Sequence, residues 1–146
     1  MTERILYLVR HGESDFDSTR PTSSPRGEQW DPPLGERGRE QAALLAGRLR
    51  TMSEPAVVAS SPLLRARVHA VVERLLAAHP DGNVLVFCHG GVINAYIAPL
   101  LGVEHEMFFV PENTSLNSVV VQGDRRRVRF LNDALHLTDP HLFADA

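Results

Sequence analysis

The sequence predicts one three-layer α/β/α domain built around a mostly parallel sheet. Apolar runs alternate with longer amphipathic stretches along the chain, which is the pattern of strands and helices packed in layers. The first strand-like runs are continuously apolar, which is typical of strands buried on both faces. The length of 146 residues, with 43% hydrophobic and 23% charged residues, fits a single globular domain over residues 1–146.

The first half of the chain predicts a strand, a long loop, a helix and a second strand. Residues 5–9 form the first apolar run, which ends abruptly at polar residues and glycine. Residues 14–33 are rich in Ser, Thr, Pro, Asp and Gly, which is the composition of a surface loop. Residues 36–52 place alanine and leucine at helical spacing opposite charged residues, and residues 56–59 form the next buried strand.

The second half predicts two further helices, a buried strand, a hairpin and a frayed end. One apolar stripe marks the first helix, which stops before a Pro-Asp-Gly turn, and a Gly-Asp pair marks the hairpin. Pro140 and several small or acidic residues predict a loosely ordered tail over residues 133–146. The elements are, in order, a helix whose apolar stripe spans 64–76 and which stops at residues 80–82, a strand over 83–88, a helix over 92–101 and a hairpin over 118–131.

The composition excludes several kinds of chemistry. All fifteen cationic side chains are arginines, so a lysine Schiff base and a phosphate-loop lysine are excluded. The net charge of −3 argues against non-specific binding of polyanions. We interpret the arginines at 125–127 and 129 as part of a solvated hairpin, and we expect no nucleic-acid partner.

Cysteine content and the N-terminal segment predict the compartment. Cys88 is the single cysteine of the sequence, which favours a reducing environment and predicts a small buried hydrophobe at that position. The apolar run at residues 5–9 is too short for a signal peptide or a membrane span. We therefore expect a cytoplasmic protein without a membrane partner.

Two of the predicted buried strands end in a histidine that is followed by glycine. His11 follows the first strand directly after Arg10, and His89 follows the strand over 83–88. Ligands bind at the carboxyl ends of strands in open parallel sheets, and glycine lets the backbone approach a ligand closely. Arg65 lies in the first turn after the second strand, so its guanidinium can reach the same rim. The sequence therefore predicts an anion pocket at this rim.

This pocket would hold the groups that phosphoryl transfer needs. Cationic neighbours favour the neutral, nucleophilic form of the His11 imidazole, which would attack phosphorus and form a phosphohistidine that water then hydrolyses. Arg10, Arg65 and a cationic His89 would stabilise the charge on the transferring group. The remaining histidines lack metal-ligand spacing, so we predict no metal site and expect surface or capping roles for His69, His79, His105, His136 and His141.

Several motifs in a fixed order give the chain a family resemblance. The run Arg10-His11-Gly12-Glu13 resembles the opening motif of the histidine phosphatase superfamily, which is also called phosphoglycerate-mutase-like. The later motifs follow in the family's order. They are the Asp-x-Pro-Leu-like run 31–42, the Ser-Ser-Pro-Leu-x-Arg-Ala run 60–66, the His-Gly-Gly run 89–91 and the Asn-Thr-Ser run 113–115.

The resemblance implies a site and a class of partner. In that family the positions that match His11, Arg10, Arg65 and His89 are the nucleophile and the phosphate pocket, and we expect all four to be catalytic here. A small phosphorylated substrate or phosphate is the implied partner, and no cofactor is expected. The expected substrate-binding positions are Arg10, Arg65, Gly12, Glu13 and Gly90.

The chain departs from the family pattern between two motifs. In the family, a helix, a segment with an acidic residue and a second helix precede the His-Gly-Gly motif, whereas only residues 67–88 do so here. We interpret the fold as a shortened phosphoglycerate-mutase-like domain in which one helix takes the place of the family's two. The shortening would leave apolar area uncovered on the sheet, which would promote either self-association, for example as a homodimer, or instability.

The absent segment carries the family's proton donor, and general acid catalysis contributes about 10²–10⁴-fold. We therefore predict a histidine acid phosphatase-like phosphomonoester hydrolase of reduced activity that favours good leaving groups. A non-catalytic phosphoanion-binding or regulatory protein and a mutase-like phosphoryl transferase remain alternatives. We expect Glu13 to orient the pocket arginines rather than to transfer protons. The carboxylates that the sequence offers are Glu13, Asp15, Asp17, Glu28, Asp31, Glu104, Glu106 and Glu112.

Overall fold

The computed structural model of the protein describes residues 3–15, 32–60, 68–105 and 107–143. The strands are β1 (Arg4–Arg10), β2 (Val57–Ser60), β3 (Val84–Cys88), β4 (Leu116–Gln122) and β5 (Arg125–Asp133). The helices are α1 (Glu36–Arg50), α2 (Val68–Ala78), α3 (Gly90–Leu101), α4 (Leu135–Thr138) and a 3₁₀ helix, Pro140–Phe143. Strands and helices therefore occur in the order that the sequence predicts.

The five strands form one mixed sheet in the order β2-β3-β1-β4-β5. β3 pairs in parallel with both β1 and β2, whereas β4 pairs antiparallel with β1 and with β5. The three-layer α/β/α prediction is confirmed. The sheet is less parallel than predicted, because the β4–β5 hairpin attaches to the free edge of β1 with β4 running in the opposite direction.

Helices cover both faces of the sheet and create two apolar cores. α2 and α3 pack on one face, where their side chains meet the inward residues of β1, β3 and β4. α1 packs on the opposite face, where Leu45 meets Val9, Leu85 and Leu116. β1 is buried on both faces, since Leu8 contributes to the first core and Val9 to the second. Because both faces of β1 are buried, its sequence is apolar without interruption.

An apolar groove stays open on the α1 face beside β2. Its volume is about 240 Å³, and it is lined by Tyr7, Val58 and Leu85 from the strands and by Leu49 and Met52 from the α1 region. Val58 is 58% exposed. Uncovered apolar surface of this kind favours association, and the homodimer stays a prediction. No helix in the described ranges combines the length and the apolar character needed to cross a membrane.

The residues that follow β5 differ from the predicted loose tail. α4 and the 3₁₀ helix occupy this region up to Phe143, and residues 144–146 lie outside the described part of the chain. Arg48 on α1 donates a hydrogen bond of 2.6 Å to Asp133, and its guanidinium lies 4.6 Å from the centre of the Phe143 ring. Helices of four residues gain order from such tertiary contacts and are too short to show a periodic pattern, which is why the sequence did not predict them.

A polar network joins α2, α3 and β5. Glu73 on α2 accepts hydrogen bonds from the Tyr96 hydroxyl on α3 at 2.9 Å and from Arg126 Nη2 on β5 at 2.5 Å. Burial by itself raises the pKa of Glu73, but the hydrogen bonds from Arg126 and Tyr96 outweigh burial, so the pKa is lowered. Arg126 therefore stabilises the packing of the hairpin on the helices.

We expect Glu73→Gln to lower the free energy of unfolding by no more than about 1 kcal/mol, because the Glu73 side chain is 43% exposed and water screens its ion pair. The pKa of Glu73 in the folded state lies below its ordinary value of 4.5, so its stabilisation is complete above that pH and is lost as the pH falls through the folded-state pKa. Denaturant unfolding from neutral pH to about pH 3 should give a flatter stability profile for the variant.

The exposed α1 residue Glu40 supplies the control for this measurement. Glu40→Gln should retain the wild-type profile, since no ion pair of Glu40 occurs within the described ranges. A Glu73→Gln profile that coincides with that of the wild type would contradict the network.

Candidate active site

The two histidines that precede glycine lie side by side at one end of the sheet. β1 and β3 pair with Arg10 opposite Cys88, so His11 and His89 leave the sheet at the same edge. The backbone N–H of His11 donates to the carbonyl of Cys88 at 3.1 Å. The ring centroids of His11 and His89 are 4.7 Å apart and their planes meet at 69°, which is an edge-on arrangement. The structure thus brings together two of the predicted site residues.

A hydrogen bond fixes the tautomer of His11. The Nδ1 atom of its imidazole lies 2.7 Å from the carbonyl oxygen of Gly12. Because a carbonyl oxygen can only accept a hydrogen bond, Nδ1 carries a proton, and in the neutral imidazole Nε2 carries the lone pair. If His11 is a nucleophile, as the sequence predicts, Nε2 is the atom that would attack.

One nitrogen of the Arg10 guanidinium donates a hydrogen bond to the protein, and another has no partner among the described residues. Its Nη1 donates to the carbonyl of Pro111. Its Nε is buried and has no hydrogen-bond partner among the described residues. In the loop after Pro111, Asn113 Oδ1 and Ser115 Oγ are also buried without a partner in the described part of the chain. Such atoms are rare in folded proteins, and a bound anion would satisfy the donor on Arg10.

The N-terminus of α3 lies at the same end of the sheet. His89 precedes this helix in an extended conformation, and the backbone N–H groups of Gly90 and Gly91 begin the first turn. The first N–H groups of a helix lack intrahelical partners, so they favour an anion. Pro111 packs close to Gly90, since a Cβ added at Gly90 would lie 3.4 Å from the proline ring. Arg65 lies outside the described residues, so its place in the pocket stays a prediction.

Two glycines allow the loop after β1 to pack directly on α1. A Cβ on Gly12 would lie 2.6 Å from the carbonyl oxygen of Gly38, and a Cβ on Gly38 would lie 2.0 Å from the carbonyl oxygen of Glu13. Both opposing atoms belong to the backbone and cannot rotate away. The side chain of Gln41 also accepts a hydrogen bond of 2.9 Å from the Glu13 N–H. α1 therefore fixes the backbone segment that carries His11.

The carboxylate of Glu13 does not take the expected position beside Arg10. Its Oε2 lies 3.6 Å from Nε of Arg37 on α1, where both side chains are exposed. Within the described residues no ion pair joins Glu13 to Arg10, and the orienting role stays a prediction. Of the other carboxylates named above, the structure describes Asp15, Glu104 and Glu112 and leaves out Asp17, Glu28, Asp31 and Glu106.

The remaining histidines and the cysteine fall into two groups. His69 and His105 are exposed as predicted, and burial raises the pKa of the Cys88 thiol to about 12. His136 was expected at the surface and is instead completely buried, with its Nε2 3.0 Å from Oγ1 of Thr114. That prediction is wrong because α4 packs against the loop that contains Thr114, just before β4. In the described ranges, no three His, Cys, Asp or Glu residues are grouped to hold a metal ion.

Sequence reasoning missed how the loop before β4 is held. Asn94 in α3 is fully buried. Its Nδ2 donates to the carbonyl of Phe109 at 2.9 Å, and its Oδ1 accepts from the N–H of Phe108 at 3.0 Å. These bonds hold the loop against the start of α3, close to His89. The signal in the sequence was Asn94 itself, a polar residue within an apolar helix.

The fold and the site define an α/β protein with a histidine pair and a partly buried arginine at the carboxyl end of its parallel strands. The family model of the histidine phosphatase superfamily (branch 1) matches the chain in two overlapping stretches, residues 6–70 and 64–134. The chain therefore belongs to the histidine phosphatase superfamily. No curated protein matches the chain in sequence.

Several solved structures share this fold. A phosphoglycerate mutase from Bacillus anthracis superposes with a TM-score of 0.74 at 17% identity, over 96% of this chain and 97% of the other. A phosphoserine phosphatase mutant from Entamoeba histolytica, in complex with phosphoserine, gives 0.72 at 15% identity, over 92% and 99%. A putative alpha-ribazole-5'-P phosphatase from Escherichia coli gives 0.70 at 20% identity, over 90% and 97%. At these identities the likeness establishes the phosphoglycerate-mutase-like α/β fold.

We expect Gly38→Ala to destabilise the protein by about 3 kcal/mol, the upper part of the range for overpacking, because neither backbone segment can yield to the added methyl group. The loop that carries His11 would have to shift, so binding of inorganic phosphate should weaken as well. Thermal unfolding and phosphate titration followed by NMR measure both effects.

Gly35→Ser is the matched control, since a Cβ at Gly35 would meet its nearest atom at an ordinary 3.7 Å and serine can cap α1. This variant should be at least as stable as the wild type. Equal stability of Gly38→Ala and the wild type would refute the proposed close approach.

Proposed function

We propose that the protein is a phosphomonoester hydrolase that works through a phosphohistidine intermediate on His11. The observation that carries the proposal is the edge-on pair of His11 and His89, together with a buried Nε of Arg10 that has no hydrogen-bond partner among the residues that the structure describes. Membership of the histidine phosphatase superfamily supports phosphoryl transfer. The names of similar structures, a phosphoserine phosphatase and a phosphoglycerate mutase, favour a small phosphorylated substrate.

In the first step, Nε2 of His11 attacks phosphorus in line with the leaving oxygen. The N–P bond forms as the P–O bond breaks, and the leaving oxygen takes a proton from solvent. The imidazole becomes cationic, while Nδ1 keeps its proton and its hydrogen bond to the carbonyl of Gly12. This bond holds the plane of the ring during the transfer and stabilises the positive charge.

Fixed donors stabilise the charge on the transferring group. Arg10 would donate from its buried Nε, and the backbone N–H groups at the start of α3 would add further hydrogen bonds. His89, whose ring meets that of His11 at its edge, would contact the same oxygens. We assign Arg65 to this pocket from its motif alone. Because these donors are held before substrate binds, little reorganisation is required.

In the second step, water attacks phosphorus on the phosphohistidine. The P–N bond breaks, its electron pair returns to Nε2 of His11, and a proton of the attacking water passes to solvent. Inorganic phosphate leaves and the enzyme returns to its starting state. The balance over both steps is one water consumed for one alcohol and one phosphate released.

Incubation with acetyl phosphate or p-nitrophenyl phosphate should label the wild-type protein with a phosphoryl group that is stable in base and labile in acid. His11→Ala should remove the label completely, because the accepting nitrogen is absent. His141→Ala, an exposed change on the 3₁₀ helix, is the control and should be labelled like the wild type. Binding of phosphate without any such label would instead indicate a phosphoanion-binding protein.

The identity of the leaving group should control the rate. We expect p-nitrophenyl phosphate to react at least about 10²-fold faster than glycerol phosphate, since general acid catalysis is worth about 10²–10⁴-fold and we predict from the family resemblance that the segment supplying the family's acid is missing. Steady-state kcat values on the two esters measure this ratio. Similar rates would mean that a carboxylate of this chain protonates the leaving oxygen.

A further inference from the structure

His136 is a buried histidine that the proposed mechanism does not use. It lies on α4 and is completely buried, and its Nε2 is 3.0 Å from the side-chain oxygen of Thr114. Burial lowers its pKa first, and the nearby charge of Arg48 lowers it further against the opposing effect of Asp133. The imidazole is therefore neutral at neutral pH. Its Nδ1 has no hydrogen-bond partner among the described residues, so the contact with Thr114 is its one polar link there.

Thr114 has an unusual backbone conformation next to the site. Its φ is 59°, in the left-handed region that β-branched residues avoid. Such a conformation is unfavourable and persists only where the surroundings hold it in place. The Thr114 side chain is also buried, so its hydroxyl needs the partner that His136 supplies.

In this conformation the backbone of Thr114 forms a hydrogen bond to the residue that directly follows β1. The N–H of Thr114 donates to the carbonyl of His11 at 3.3 Å, and the carbonyl of Ser115 accepts from the N–H of Arg10 at 3.2 Å. Pro111, at the start of the same turn, accepts from the Arg10 guanidinium. The turn over residues 111–115 therefore contacts both Arg10 and His11.

The turn is held from the other side as well. The side chain of Asn132 accepts a hydrogen bond of 2.6 Å from the N–H of Glu112. Asn132 itself donates its N–H to Asn117 at 2.9 Å, and Asn117 donates to the carbonyl of Leu8 in β1 at 3.1 Å. These bonds fix the start of the turn. Thr114, the residue of the turn with positive φ, has its side-chain hydrogen bond with His136 instead.

We infer that His136 is a positioning residue for the proposed nucleophile, acting through the hydroxyl of Thr114 on the backbone of His11. This role rests on the proposed function, because it concerns the atom that would attack phosphorus. Without the His136 contact, Thr114 relaxes towards negative φ, and its N–H turns away from the His11 carbonyl. His11 then loses a restraint on its backbone, and a displacement of about 1 Å can reduce a rate by roughly 100-fold.

Two pairs of variants separate the hydrogen bond from packing. Thr114→Val keeps the shape and the branching but removes the hydroxyl, whereas Thr114→Ser keeps the hydroxyl. His136→Leu removes the polar link, whereas His136→Gln places an amide close to the position of Nε2. We expect Thr114→Val and His136→Leu to lower kcat on p-nitrophenyl phosphate by about 10- to 100-fold with little change in KM. Thr114→Ser and His136→Gln should keep kcat within about threefold of wild type.

Tyr96→Phe is the control for a general loss of stability. It also removes one buried hydroxyl, which donates to Glu73 on the outer side of α2 and α3. It should lower the midpoint of thermal unfolding by an amount similar to Thr114→Val and leave kcat unchanged. The double variant Thr114→Val/His136→Leu should be no slower than the slower single variant, because both changes break the same link.

A second measurement does not depend on activity. The ¹⁵N shifts of the His11 imidazole report how much of its proton lies on Nδ1, and the wild type should show this form almost alone. Thr114→Val should shift the ring towards a mixture of tautomers, since the backbone that aligns Nδ1 with Gly12 is no longer held. Tyr96→Phe should keep the wild-type shifts.

The outcomes distinguish this inference from the proposed function. Failure of the wild type to form phosphohistidine would refute the proposed function, and the ¹⁵N shifts would still decide whether Thr114 and His136 position His11. If His136→Leu fails to fold, Thr114→Val carries the test. A Thr114→Val protein with wild-type kcat and unchanged His11 shifts would overturn the inference, as would equal losses in Thr114→Ser and Thr114→Val.

Discussion

The site depends on the parallel pairing of β1 with β3. This pairing sets Arg10 opposite Cys88, so both strands end at the same level and both histidines leave the sheet at one edge. Successive residues of a strand point to opposite faces, so a slip of one residue would reverse the side chains of one strand. The burial of β1 on both faces prevents such a slip, because it would disturb two cores at once.

The irregular backbone around the histidine pair is held by hydrogen bonds from single polar side chains. Segments beyond the strand ends cannot continue the hydrogen bonds of the sheet, so their N–H and C=O groups need other partners. Gln41, Asn94 and Asn132 each accept from the backbone of a site segment, and His136 contacts Thr114. These side chains come from four different elements, so the segments around the histidine pair are held from several sides.

The two sheet faces differ in how completely they are covered. α2 and α3 bury one face, where Glu73, Tyr96 and Arg126 close the outer edge with polar contacts. On the other face α1 is the long helix, and an apolar groove remains open beside β2. α1 is also the element whose first turn meets Gly12 and holds the loop after β1. α1 therefore contacts both the loop after β1 and the second core. These contacts fix the position of α1 and leave the groove beside β2 uncovered.

The sequence by itself determined the order of the main strands and helices and, to within a few residues, where each strand lies. Continuous apolar runs predicted strands buried on both faces, and the histidine and glycine after two of them predicted where a ligand would bind, because parallel strands present their carboxyl ends together. Tertiary structure decided the partner of Glu13, the left-handed backbone of Thr114 and the burial of His136. Each of these depends on one contact between residues remote along the chain, and a single contact leaves no periodic pattern in the sequence.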